Sequence, residues 1–144
     1  MAIEPHINNM IQKLDGFWLN NNAYVHAEFT RNADGTHSIT LAEPVPYDTL
    51  PRPKLVPIHG CTHIRVPAFN GELFYGILNE NGRFFGFFVL ASEGKMLITA
   101  SFSDLPPIRK AEAHGTHLIL ETMYGDRLRV IPSEDCTSLT AEIL

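Results

Sequence analysis

Residues 71–102 read GELFYGILNENGRFFGFFVLASEGKMLITASF, and this stretch decides the fold class. Runs of aromatic and branched side chains are separated by Asn81-Gly82 and Glu93-Gly94, which are typical of tight turns between antiparallel strands. The same pattern continues on both sides, so we predict about nine strands joined by Gly-containing turns. The sequence therefore predicts a mainly β protein with an up-and-down antiparallel meander.

Closure of the meander into a barrel is the architecture that we prefer, because a barrel leaves no exposed edge strand. A barrel of about eight strands has an interior that side chains fill or that holds one small ligand. A β-sandwich is the alternative.

The length of 144 residues is that of one domain, and we predict a single domain over residues 1–144. Apolar side chains recur at a helical spacing in residues 6–15, which predicts a short N-terminal helix. Five prolines interrupt residues 43–60, so this segment is predicted to be a long, stiff loop. Residues 133–144 are predicted to be a C-terminal tail, either a short helix or a loose segment.

The composition bounds the classes of function. The net charge is −5 and the basic residues are scattered, which argues against binding nucleic acid. Cys61 and Cys136 lie far apart, and two reduced thiols are favoured over a disulfide. The sequence shows neither a signal peptide nor a transmembrane segment, so a cytoplasmic protein that does not bind membranes is expected.

Gly16-Phe17-Trp18 follows the predicted helix and opens the first strand. This resembles the Gly-x-Trp signature at the start of lipocalin and wider calycin barrels. In that family the Trp closes one end of the barrel beneath the cavity, and an Arg from the last strand lies across its ring. The resemblance implies this role for Trp18 here, with Arg127 or Arg129 as its partner.

Phenylalanines on both sides of Gly86 make both faces of one central strand apolar. A barrel strand needs only one such face, so the other must be covered by a helix, by the Pro-rich loop or by another subunit, which leaves a homodimer open. These rings either fill the core or line a pocket. The candidate ligand-binding residues are Phe74, Phe84, Phe85, Phe87, Phe88 and Phe102.

A polar side chain inside an aromatic barrel would have a shifted pKa, as a general acid or base requires. The candidate catalytic residues are Tyr24, His26, Glu72 and His117. Tyr24, His26 and Glu28 share one face of a strand, and that face is solvated if Val25, Ala27 and Phe29 point to the core.

His59, Cys61 and His63 would share one strand face, but neighbours at i and i+2 are about 7 Å apart. This spacing is too wide for two side chains to converge easily on one ion, so we predict no metal site. No phosphate-binding Gly-rich loop occurs either, and no cofactor is expected.

The leading hypothesis is a lipocalin-like barrel that binds one small, largely apolar molecule, with residues 43–60 over its mouth. One alternative is a cofactor-independent isomerase or cyclase that acts on a natural-product-like substrate in the same cavity. The other is a protein-interaction module, such as an adaptor or immunity factor.

Overall fold

A computed structural model describes residues 6–7, 9–52 and 54–144. Within them, fourteen strands and two short 3-10 helices form, which confirms the prediction of a mainly β protein. The strands are β1 (His6–Ile7), β2 (Met10–Gln12), β3 (Gly16–Leu19), β4 (Ala23–Arg31), β5 (His37–Leu41), β6 (Val45–Pro46), β7 (Leu55–Val66), β8 (Gly71–Glu80), β9 (Arg83–Ser92), β10 (Lys95–Phe102), β11 (Ile108–His114), β12 (His117–Thr122), β13 (Arg127–Pro132) and β14 (Leu139–Ile143). The 3-10 helices are Tyr47–Thr49 and Pro67–Phe69.

The strands belong to two antiparallel sheets. The larger has the order β1-β2-β7-β8-β9-β10-β3-β4-β5, with β6 paired to β4, and the smaller has the order β11-β12-β13-β14. Consecutive strands are neighbours in β7–β10 and in β11–β14, so the predicted meander is present in these two parts. No ladder closes the described strands into the single barrel that we preferred from the sequence, and the two sheets correspond to the sandwich alternative.

The main core lies between the two sheets. It combines Phe17, Phe88 and Phe102 of the larger sheet with Leu118 and Val130 of the smaller one, all of them almost fully buried. The ring centroids of Phe17 and Phe102 are 5.1 Å apart in an edge-to-face arrangement, a favourable geometry for aromatic pairs. Strands of both sheets therefore contribute one face each to a common core.

The larger sheet curls strongly around the face that is opposite the main core. In a flat sheet β2 and β3 would be five strand spacings apart, about 24 Å. The chain between Gln12 and Gly16 can span only about 14 Å, yet β2 pairs with β7 and β3 pairs with β10. The sheet must therefore bend until β7 and β10 approach the same segment of chain.

Ser101 on β10 supports this crossover from β7 to β10. Its hydroxyl accepts a hydrogen bond from the Leu14 backbone N–H at 2.8 Å and donates one to the Gln12 carbonyl oxygen at 2.8 Å. These two backbone groups lie where the segment leaves one ladder and has not yet joined the next. The side chain thus replaces the ladder partners that the strand lacks at this point.

The predicted helix over residues 6–15 is wrong, because strands β1 and β2 form in that segment. Its residue 8 lies outside the described residues. The spacing of Ile11 and Leu14 suited a helix, but Ile11 is buried on β2, which pairs with β7, and Leu14 is buried beyond the end of β2 in a cluster with Trp18. Tertiary pairing therefore overrides the local pattern.

The predicted loop over residues 43–60 is shorter than expected. It contains β6 and the helix Tyr47–Thr49, and it ends where β7 begins at Leu55. Its residue 53 lies outside the described residues. Pro57 is tolerated inside β7, where it pairs with Met10 of the short strand β2.

The predicted C-terminal tail over residues 133–144 is also corrected, since β14 pairs with β13 throughout its length. Leu139, Ala141 and Ile143 alternate with exposed Thr140 and Glu142 and pack against the main core, an alternation that the sequence interpretation did not recognise. Among the described residues, no helix has the length and apolar character needed to cross a membrane.

Candidate functional site

A partly open cleft of about 580 Å³ lies on the curled face of the β7–β10 meander, opposite the main core. Alternation places its residues there: on β9, Phe88 faces the main core while Phe87 and Val89 face the cleft. The cleft is walled mainly by apolar side chains from β2, β7, β8, β9 and β10, namely Ile11, Ile58, Phe74, Phe87, Val89 and Met96.

Beneath the cleft, a cluster of buried side chains covers the second apolar face of β9. It consists of Ile11, Val56, Leu78, Phe85, Phe87 and Val89. The covering that the sequence required for this face therefore comes from β2 and β7 of the same chain. No second subunit is needed to bury Phe85 and Phe87.

Polar groups lie at the rim of the cleft. The register of β7 against β8 shifts between Ile58 and Gly60, so His59 is the extra residue of a bulge, and its ring packs edge-on against Phe84 at 4.8 Å. Cys61 is an exposed free thiol, and partial burial of its sulfur raises its pKa. A neutral thiol and an imidazole thus border the apolar surface.

The cleft continues into a second, polar depression of about 450 Å³. Both are lined by Phe74, Ala91 and Gly94, so the ring of Phe74 lies on the boundary between them. The polar side is lined by Arg65, Asn70, Glu72 and Glu93.

Asn70 organises this polar depression. The Arg65 guanidinium donates to its side-chain oxygen at 3.1 Å, and its amide nitrogen donates to the Glu93 carboxylate at 3.1 Å. Asn70 follows a 3-10 helix and has a φ of 49°, a left-handed conformation that Asn tolerates well. One turn residue therefore positions charges of both signs beside the cleft.

The structure separates the six predicted ligand-binding aromatics. Phe74 and Phe87 line the cleft, and Phe85 lies in the buried cluster beneath it. Phe88 and Phe102 lie in the main core, while Phe84 is exposed against His59.

Trp18 is buried, as the resemblance to calycins implies, but neither Arg127 nor Arg129 lies across its ring. It packs with Leu14, Tyr24 and Tyr47 on the curled side of β3. The two arginines are on β13 of the other sheet and pair with Glu112 and Glu142, respectively. The main core lies between β13 and Trp18, which prevents the contact.

Gly16, the first residue of the same motif, has a clear structural role. A Cβ atom at this position would lie 2.2 Å from the Val25 carbonyl oxygen, so only Gly allows β3 and β4 to approach this closely. The Trp18 indole nitrogen donates to Asn22 at 3.0 Å, and Tyr47 from the Pro-rich segment packs over this cluster. The segment around Tyr47 therefore covers the Trp18 end of the sheet.

The four candidate catalytic residues do not converge. Tyr24 and His26 are on β4, Glu72 is on β8 and His117 is on β12 of the smaller sheet. Of these, Glu72 alone lines the polar depression.

The face of Tyr24, His26 and Glu28 is only partly solvated. Glu28 is exposed and His26 is partly exposed, as expected from a core-facing Val25 and Ala27. Tyr24, however, is buried, and its hydroxyl donates to the Leu14 carbonyl oxygen and lies 3.2 Å from His26 Nδ1. Burial and the nearby Asp15 raise the pKa of Tyr24 to about 12, so it remains neutral near pH 7.

His59, Cys61 and His63 do not gather around a common point. His59 packs on Phe84, and the ring of His63 packs on Phe74 at 5.3 Å. In the part of the chain that the structure describes, no three His, Cys, Asp or Glu side chains are arranged to hold a metal ion.

Sequence reasoning missed four of the six apolar lining residues named above: Ile11, Ile58, Val89 and Met96. Ile11 was assigned to a helix and Ile58 to a loop, so neither was considered as a wall of the cavity. The sequence of β9 does contain a signal for the missing lining residues. Both faces of this strand are apolar, so the face of Phe87 requires apolar side chains from other strands to cover it.

Comparisons with protein-family models, with curated proteins and with solved structures find no match to this chain. The calycin resemblance therefore has no support from a family or fold neighbour.

Proposed function

We propose that this protein binds one small, largely apolar molecule in the cleft of the β7–β10 meander. The observation that carries the proposal is the cleft itself, whose volume of about 580 Å³ falls within the usual range for small-molecule sites. Its wall is mostly apolar, and Phe74 and Phe87 offer flat surfaces for hydrophobic contact. In this proposal the curled sheet encloses the ligand, as the cavity of a lipocalin-like barrel would.

We keep the proposal to binding. Tyr24 and His26 are neighbours on β4, but none of the four candidate acid and base residues lines the apolar cleft, so they supply no pair beside a ligand bound there. The second apolar face of β9 is covered within the chain, which removes the main argument for a protein-interaction surface there.

The test is a titration of isotope-labelled protein with octan-1-ol, followed by NMR shifts of backbone amides. We expect saturable shifts concentrated on β7, β8 and β9 around Phe74, Phe87 and Val89. Residues of β12 and β13 in the smaller sheet serve as an internal reference, and their amide signals should not shift. Native mass spectrometry of the purified protein then reports any ligand that co-purifies.

Two variants locate the binding site. Ala91 is half-buried, pairs with Glu72 and Met96, and faces the cleft, so Ala91→Phe should fill it and weaken octan-1-ol binding by about tenfold or more. Ala33→Phe makes the same change at an exposed turn and should have no effect. Binding that is absent in the unaltered protein, or that survives Ala91→Phe, would overturn the proposal.

A further inference from the structure

We propose that the ligand is an amphiphile whose apolar body occupies the cleft and whose ammonium or similar N–H donor head pairs with Glu72. This inference rests on the proposed function, since it names the chemical class of the molecule that the cleft binds.

The shape of the site requires a ligand of two parts. The apolar cleft and the polar depression share Phe74, Ala91 and Gly94, so a molecule that extends past Phe74 leaves apolar surface and meets charged groups. Glu72 and Phe74 are on the same face of β8, about 7 Å apart along the strand. A head group attached directly to an apolar chain on Phe74 therefore reaches the Glu72 carboxylate.

Glu72 lacks the partner that comparable carboxylates of this protein have. Glu80 is also partly buried and pairs with Lys13 and Lys54, and Glu121 pairs with Arg109. Among the described residues, Glu72 forms neither an ion pair nor a side-chain hydrogen bond. A half-buried carboxylate is stabilised by a donor, and here the ligand would supply it.

Arg65 does not take that role, although it lies directly opposite Glu72 in the β7–β8 ladder. Its guanidinium donates to Asn70, which also holds Glu93. The polar depression thus contains one cationic and two carboxylate side chains, and the ring of His63 packs on Phe74 at its edge. This balance favours a cationic head and disfavours a carboxylate head.

The experiment compares three probes with the same eight-carbon chain: octylamine, octan-1-ol and octanoate. Dissociation constants are measured by NMR titration or calorimetry at pH 7 and low salt, below the concentrations at which the probes aggregate. We expect octylamine to bind about fivefold more tightly than octan-1-ol, the value of one favourable ion pair at a partly exposed site, and octanoate to bind most weakly.

Glu72→Gln keeps the size of the side chain and removes its charge, so it should abolish the advantage of octylamine and leave octan-1-ol unchanged within about twofold. Glu28→Gln removes the same charge from an exposed site on β4 and should preserve the order of the three probes. Added salt should reduce the preference for octylamine in the unaltered protein.

The possible outcomes separate the two claims. Suppose that octan-1-ol binds and that Ala91→Phe weakens this binding. If octylamine then binds no more tightly than octan-1-ol, or still binds more tightly in Glu72→Gln, the inference about the head group is wrong and the apolar site stands. If none of the three probes binds in the cleft, the proposed function fails together with the inference.

Discussion

Replacement of Ser101 by alanine tests the crossover that bends the larger sheet. The Ser101 side chain is almost fully buried, and its hydroxyl satisfies the Leu14 N–H and the Gln12 carbonyl group, each at 2.8 Å. Alanine leaves both backbone groups buried without a partner. Each such group costs about 1–3 kcal/mol, so we expect the free energy of unfolding to fall by about 2–6 kcal/mol.

Urea denaturation followed by circular dichroism measures this loss. With a urea dependence of about 2 kcal/mol/M, the midpoint should fall by about 1–3 M at an unchanged slope. Ser38→Ala is the control, because Ser38 is half-buried on β5 without a side-chain hydrogen bond among the described residues, and it should cost at most about 0.5 kcal/mol. A Ser101→Ala loss no larger than that of Ser38→Ala would refute the role given to this hydroxyl.

Two further predictions concern titratable groups. The pKa of Tyr24 rises from 10.0 to about 12 on folding, so its contribution to stability is complete below pH 10 and is lost as the pH rises toward 12. Urea midpoints measured between pH 9 and 11.5 should therefore fall less steeply in Tyr24→Phe, and equal slopes would contradict the burial of this hydroxyl. Iodoacetamide at pH 8 should alkylate exposed Cys61 in the folded protein and buried Cys136 only after unfolding, because burial raises the pKa of Cys136 to about 11. Mass spectrometry of peptides measures the rate of alkylation at each thiol. Equal rates for Cys61 and Cys136 in the folded protein would contradict this arrangement.

Strand periodicity and Gly-containing turns were sufficient to predict the local pairings. The β8–β10 hairpins at Asn81-Gly82 and Glu93-Gly94 form as expected, since each turn residue determines how two adjacent strands meet. The buried state of Trp18 was also predictable from its size and its place in a strand. Its neighbours were not, because they come from residues 14, 24 and 47.

The site was predictable only in part for the same reason. Phe74 and Phe87 were chosen because aromatic side chains on central strands line cavities when cavities exist, and both do line the cleft. Phe88 and Phe102 are also aromatic residues on central strands, but they face the main core. Strand parity relative to the second sheet decides between these outcomes, and a shift of one residue would exchange them.

The sequence by itself determined that this protein is mainly β, that its central strands are antiparallel neighbours, and that β9 needs apolar contacts on both faces. These properties follow from interactions between residues close in the chain, such as side-chain alternation and turn geometry. Tertiary structure decided that residues 10–19 join β7 to β10, that two sheets share the main core, and that the cleft opens beside Phe74. These depend on contacts between distant segments, where the burial of Ile11 and the bonds of Ser101 outweigh the helical spacing of the N-terminal residues.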